Sequence, residues 1–75
     1  MNHLSRRCIA LKDHSGVTHK ELSFNIGQKM LVLSDKVQKV YNMRNRRYDD
    51  WLEGCFDGDR AKRGLFLVSK VKFLS

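Results

Sequence analysis

The chain has 75 residues, which limits it to one small domain with a thin core and no room for a deep substrate cavity. Its 41% of hydrophobic residues is ordinary for a globular protein and argues against disorder. The formal net charge of +7, from 15 Lys and Arg against 8 Asp and Glu, favours an anionic partner but also suits a solvated surface.

The first half of the chain predicts short strands separated by turns. Residues 1–7 are a polar, basic lead-in that we expect to be flexible. The apolar run of residues 8–11 is typical of a buried strand, residues 22–24 alternate with strand period, and residues 29–34 are a further strand candidate. Gly27 lies in the turn before the last of these and is free to adopt a positive φ.

The second half begins with a polar, basic segment, residues 35–50, whose two asparagines and arginine run favour a long loop with at most one helical turn. Residues 51–56 are strand-like, residues 57–64 carry turn chemistry around an Asp-Gly pair, and residues 65–74 supply one or two more strands. Five or six short strands without a convincing helix predict a small antiparallel barrel or sandwich.

Cysteine and histidine usage gives no sign of a disulfide framework or a metal site. Cys8 and Cys55 belong to no CxxC pair, and the three histidines lie at no zinc-binding spacing from them. We therefore expect two reduced thiols, a cytoplasmic setting, and no metal or other cofactor. We also expect neither a secretory signal nor a membrane-spanning segment.

The order of these pieces resembles a Src homology 3 domain over residues 8–74. The family's ALYDY motif stands here as ALKDH (residues 10–14), and its acid followed by LSF stands as KELSF (residues 20–24). Its tryptophan after an acid matches residues 50–51, and its closing G-φ-φ-P-x-N-Y-V motif matches GLFLVSKV (residues 64–71). The resemblance implies one domain, residues 8–75, folded as a five-stranded antiparallel barrel with a long loop between the second and third strands. The core it implies consists of Ala10, Leu22, Phe24, Met30, Val32, Phe66 and Val71.

The resemblance also implies a role for Trp51, the only tryptophan in the chain. In the family this side chain lies at the edge of a shallow groove and packs on an extended, proline-rich ligand. An exposed indole offers a rigid apolar face and one N–H donor, which suits that task. The alternative is that Trp51 fills the core.

Most groove residues of the family are replaced in this chain. The positions of two tyrosines, a proline and a further tyrosine hold Lys12, His14, Leu67 and Lys70. Glu21 stands where an acid usually pairs with a ligand arginine, although a surface charge or a local pair with Lys20 explains it equally well. We therefore expect an atypical, degenerate groove that binds proline-rich peptides weakly. Its peptide-binding residues are predicted to be Trp51, His14, Lys12, Glu21, Leu67 and Lys70.

The long loop borders this groove in the family, and here it is rich in arginine and tyrosine. Arginine beside aromatic side chains suits acidic peptide, phosphate or nucleic acid, while a mobile solvated insertion is the plain alternative. The loop residues predicted to set specificity are Tyr41, Arg44, Arg46, Arg47, Tyr48 and Asp49.

Three functions remain open, and none of them is catalytic, because the sequence offers no nucleophile with a base and no metal cluster. The favoured one is a protein–protein interaction module of a larger signalling or scaffold protein, such as an adaptor, that binds a short and acidic extended peptide. The second is a structural module that packs on a neighbouring domain or forms a homodimer through Val37, Val40 and Met43. The third is a basic surface for acidic membrane lipid or nucleic acid, and nucleic acid ranks last because eight acids are spread along the chain.

Overall fold

The computed structural model describes residues 6–74, which form an all-β domain with six antiparallel strands in one sheet that is not closed. The strands are β1 (Arg7–Ala10), β2 (Lys29–Val32), β3 (Gln38–Asn42), β4 (Arg47–Phe56), β5 (Asp59–Leu67) and β6 (Val71–Leu74). A 3₁₀ turn, Val68–Lys70, joins β5 to β6. The strand order is β3-β4-β2-β1-β6, and β5 also pairs with β4. The all-β class is thus confirmed, but the sheet has six strands and is not closed, so it differs from the five-stranded barrel that the resemblance implies.

Strand β4 organises the sheet because it is long enough to pair with three others. Its first half, residues 47–51, pairs with β3, and residues 54–56 pair with β2. Residues 51–56 also pair with β5, with an irregularity between Cys55 and Phe56. Trp51 therefore lies at the point of β4 that both β3 and β5 reach.

The predicted long loop of residues 35–50 is for the most part a β-hairpin, so that prediction was wrong. We call residues 38–50, which comprise β3, a four-residue turn and the start of β4, the arm. Asn42 Oδ1 accepts hydrogen bonds from the backbone N–H groups of Arg44 at 2.9 Å and Asn45 at 3.4 Å, and Arg46 has a positive φ of 54°. An asparagine side chain that bonds the backbone two residues ahead stabilises a tight turn, so the residues that favoured a loop close a hairpin instead.

The core lies where the sequence predicted it, and all seven predicted core residues are buried. Cys8, Leu52 and Cys55 complete it. Residues 22–24 contribute Leu22 and Phe24 without forming a strand, since only isolated bridges occur there, His14 with Phe24 and Glu21 with Leu65. The segment therefore covers the sheet as a loop that two side chains fix to the core.

Two predicted boundaries change. The Asp57-Gly58 pair forms the predicted turn, with Gly58 at φ 99°, but β5 already begins at Asp59, so the turn predicted to reach residue 64 was too long. Gly27 takes the expected positive φ, 89°. Residues 1–5 of the predicted lead-in, residues 1–7, lie outside the part of the chain that the structure describes. The last residue of that lead-in, Arg7, is the first residue of β1.

Both cysteines are free and fully buried, which predicts that they are inert while the protein is folded. Burial raises the pKa of the Cys8 thiol to about 11, although the positive charge of Arg6 opposes the shift. Only about one Cys8 thiol in a thousand is then ionised at pH 8, and the thiolate is the reactive form. We expect a thiol-labelling reagent to modify both cysteines only after denaturant is added. Labelling of the folded protein within minutes would contradict this burial.

Candidate functional site

Trp51 stands between two grooves on one face of the sheet. Alternate residues of a strand face the same side, so Asp49, Trp51 and Glu53 of β4 lie in a row. Asp49 lines one groove and Glu53 the other. Directly opposite Trp51 are Gln38 on β3 and Leu67 on β5. The indole is partly exposed, lies outside the buried core and is in the lining of neither groove. Its position between Asp49 of one groove and Glu53 of the other makes it the ridge that separates them.

The first groove, which we call the arm groove, has a volume of about 600 Å³ and lies between the arm and the 3₁₀ turn. The second, which we call the side groove, has a volume of about 400 Å³. Arm-groove side chains include Arg47, Tyr48, Asp49, Leu67 and Lys70. Side-groove side chains include His19, Lys20, Gln38, Glu53 and Arg63. Both grooves therefore have cationic side chains, with two carboxylates, Asp49 and Asp50, in the arm groove and one, Glu53, in the side groove.

The His14 ring packs between the Trp51 indole and Phe24 of the core. It meets the Trp51 indole edge-on, with the ring centroids 5.9 Å apart, and stacks on Phe24 of the core at 5.6 Å. The residue is only 9% exposed. His14 was predicted to contact a ligand directly, but this burial leaves it little surface, so its main effect is to position Trp51.

A chain of hydrogen bonds fixes the orientation of the His14 ring. Lys70 Nζ lies 2.9 Å from His14 Nδ1, and His14 Nε2 lies 2.8 Å from Glu21 Oε1. An ammonium group can only donate, so Nδ1 accepts and the neutral imidazole carries its proton on Nε2, which donates to Glu21. Thr18 donates to the other carboxylate oxygen through its backbone N–H at 3.3 Å and its hydroxyl at 3.4 Å. Lys70 and Glu21 are thus linked through a neutral histidine.

Glu21 is therefore engaged inside the protein, and its partner is His14 rather than the Lys20 considered from the sequence. Its side chain is only 15% exposed. A carboxylate with these contacts has less capacity to bind a ligand arginine than the free acid that the resemblance implies. The sequence does not reveal this series of hydrogen bonds, because the residues that it joins lie up to 56 positions apart.

The same contacts predict a dependence of stability on acidic pH. Burial would raise the pKa of the Glu21 carboxyl, but hydrogen bonds from His14 and from the backbone outweigh it and hold that pKa below its ordinary 4.5. A folded-state pKa below the unfolded one adds stability above about pH 4.5, and this stability is lost as the pH falls through the lowered value. We expect Glu21→Gln to lose less stability than wild type between about pH 6 and about pH 3, measured by urea denaturation. Equal losses would contradict the engaged carboxylate.

The remaining predicted site residues divide between the grooves and the arm. Leu67 lies directly opposite Trp51 and lines the arm groove together with Lys70. Lys12 is exposed in the bend after β1 and lines neither groove. Of the arm residues, Arg47, Tyr48 and Asp49 line the arm groove. Tyr41 contacts Tyr48 edge-on at 5.2 Å between ring centroids. Arg44 and Arg46 lie in the exposed turn at the tip of the arm.

No protein-family model matches the chain. Within residues 6–74, no group of three or more His, Cys, Asp or Glu side chains is placed to hold a metal ion. The part of the chain that the structure describes also contains no helix long and apolar enough to cross a membrane.

Proposed function

We propose that the chain is an atypical Src homology 3-type domain that serves as a non-catalytic, cytoplasmic protein–protein interaction module. The observation that carries the proposal is the partly exposed Trp51 ridge between two shallow grooves. A tryptophan supported from below offers a large contact surface that is already ordered, so a ligand pays little conformational entropy to use it. The order of the sequence motifs, from ALKDH to GLFLVSKV, supports the choice of family.

The ligand that best fits these grooves is a short extended peptide with acidic character. The carboxylates beside the ridge are already engaged: Asp50 accepts from Lys39 at 2.8 Å, Asp49 from Asn42 at 2.9 Å, and Glu53 from Arg63 at 2.8 Å. With Lys39 counted beside its partner Asp50, three cations, Lys39, Arg47 and Lys70, stand against two carboxylates at the arm groove, which leaves it a net charge of +1. An acidic peptide complements that charge, whereas the basic, proline-rich peptides typical of the family meet repulsion.

The intrinsic fluorescence of the single tryptophan provides a direct test. The chain is titrated with an acidic peptide that lacks proline and with a basic proline-rich peptide. The acidic peptide is expected to change the Trp51 emission with the higher affinity. Low-micromolar binding of the proline-rich peptide would contradict the proposed specificity.

A matched pair of lysine variants identifies the groove that is used. Lys70→Ala removes a cation from the arm groove and is expected to weaken acidic-peptide binding about threefold to tenfold, the range for one partly exposed charge and its contacts. Lys72→Ala removes the same charge from an exposed position on β6, which lines neither groove, and is expected to leave the affinity unchanged. Equal effects of the two variants would point to non-specific charge attraction.

Apolar side chains are exposed in the arm and next to it. They favour a second candidate function, in which the domain packs against another folded unit. Val37 and Val40 are about half exposed, and Met43 is 83% exposed. A cluster of this kind can lie against a neighbouring domain or a second copy of the chain. A sedimentation series over rising protein concentration tests the homodimer, and a constant monomer mass would exclude it over that range.

A further inference from the structure

Strand β3 ends the sheet, and its outer edge has no strand partner among residues 6–74. The hydrogen bonds between backbone groups in that part of the chain do not reach this edge either. In an antiparallel pair, alternate residues direct their N–H and C=O groups away from the partner strand. The outer edge of β3 is therefore a row of backbone donors and acceptors to which a further strand can bind.

The arm keeps this edge in place although its residues lie outside the core. Three pairs link β3 to β4: Lys39 Nζ to Asp50 at 2.8 Å, Asn42 Nδ2 to Asp49 at 2.9 Å, and the contact between Tyr41 and Tyr48. Cross-strand pairs of these types each stabilise a hairpin. Because the edge is ordered before binding, an added strand does not have to order it.

The charge of the arm indicates which strand would bind. Both acids on its β4 side, Asp49 and Asp50, are already hydrogen-bonded to β3. Three exposed arginines, Arg44, Arg46 and Arg47, form no ion pair with any residue that the structure describes. With Lys39, the arm holds four cations against two acids, and its net charge of +2 complements an acidic segment and opposes pairing with a second, equally basic copy.

We propose that the outer edge of β3 is a second docking site, separate from the Trp51 grooves, which takes an acidic extended segment of a partner protein as an added strand. Main-chain hydrogen bonds supply the affinity, and the arginines select for acidic side chains. Val40 and Tyr41, each 48% exposed, face opposite sides of the edge and give apolar contacts to residues of the added strand. A single-stranded nucleic acid could use the arginines but not the regular row of backbone groups, so the edge favours a peptide.

Amide exchange measured by NMR on the full chain tests the site. The probe is a peptide of about eight residues in which glutamate alternates with valine, a pattern that suits an added strand. We expect the outward amides of residues 38–42 to gain protection from exchange. The same measurement on the Trp51→Ala variant is expected to give the same protection. Because this variant lacks the Trp51 side chain, the measurement separates binding at the β3 edge from binding at the Trp51 grooves, and either proposal can be rejected without the other.

Three comparisons separate strand addition from simple attraction of charge. Methylation of alternate peptide nitrogens, which removes the hydrogen-bond donors but keeps the charge, is expected to weaken binding about tenfold or more. The double variant Arg44→Glu with Arg46→Glu, two arginines that line neither groove, is expected to weaken it about tenfold. The matched control, Arg60→Glu with Lys62→Glu, makes the same change of charge near the opposite end of β4 and is expected to have a much smaller effect.

Three results would overturn the proposal. The first is unchanged exchange of residues 38–42 in the presence of bound peptide. The second is equal affinity of the methylated and unmethylated peptides. The third is tighter binding of an oligothymidylate than of the acidic peptide at the same salt concentration, which would identify the arginines as a nucleic-acid surface.

Discussion

Replacing Trp51 with alanine is expected to weaken binding of the acidic groove peptide at least about 30-fold while the domain stays folded. A tryptophan at the centre of a contact surface commonly contributes about 2 kcal/mol or more when truncated, which corresponds to that factor. The side chain is partly exposed and outside the buried core, so its loss is expected to cost only about 1 kcal/mol of stability. Isothermal titration calorimetry gives the affinity without relying on the removed fluorophore, and urea denaturation gives the stability.

Two control variants define what Trp51 contributes. Trp51→Phe keeps an aromatic face but loses the N–H donor and part of the area, so we expect an affinity between those of wild type and Trp51→Ala. Val17→Ala alters a 90% exposed side chain that lines neither groove and is expected to leave binding unchanged. If Trp51→Ala instead unfolds the domain, or binds as tightly as wild type, the ridge is not the peptide site.

Replacing Gly54 with alanine is expected to destabilise the domain by about 3 kcal/mol, because the added methyl group has no room. A Cβ at this position would lie 2.6 Å from the Leu31 carbonyl oxygen and 2.7 Å from a ring carbon of Phe66. Both are fixed, one as backbone of β2 and the other as a fully buried core ring. A domain of this size has a total stability of only about 4–11 kcal/mol, so the loss is a large fraction of it.

Thermal and urea denaturation measure this cost, and Gly58→Asn provides the control. Gly58 has open space around its Cβ position and a φ of 99°, which asparagine tolerates better than most residues. We expect this variant to lose about 1 kcal/mol or less. A Gly54→Ala variant as stable as Gly58→Asn would show that β2 and β4 lie further apart than described.

The core could be predicted from the sequence because its signal is local. Alternation of apolar residues such as Met30 and Val32 fixes which side of a strand faces inward, and a shift by one residue would expose them. The alternation of residues 22–24 likewise indicated that Leu22 and Phe24 face inward, and both are buried although the segment is a loop and not the strand that this period indicated. Leu52 lies in the strand predicted over residues 51–56, which in the structure begins already at Arg47. Cys55 lies three positions further on, so alternation alone does not place both residues on the same face.

Local sequence patterns predict neither the hairpin of the arm nor the hydrogen bonds that His14 makes with Lys70 and Glu21. Residues 38–42 and 47–50 are largely exposed on both faces, so their sequence shows no alternation of buried and exposed residues. The hairpin depends instead on cross-strand pairs and on the turn at Asn42. One local signal was available, namely tyrosines at 41 and 48 placed symmetrically about an asparagine-containing turn. The link from Lys70 through His14 to Glu21 carries no such signal, because it joins three separate segments only in the folded protein.

The most direct test of peptide binding at Trp51 is an NMR titration of the isotope-labelled chain that follows the Trp51 indole N–H. An acidic peptide without proline and a basic proline-rich peptide are added separately, at low and at moderate salt concentration. We expect the acidic peptide to shift the Trp51 indole signal together with the amide signals of Leu67 and Lys70, and the proline-rich peptide to do so only weakly. If neither peptide moves Trp51 while line widths grow with protein concentration, the chain is a packing module and the proposed function is wrong.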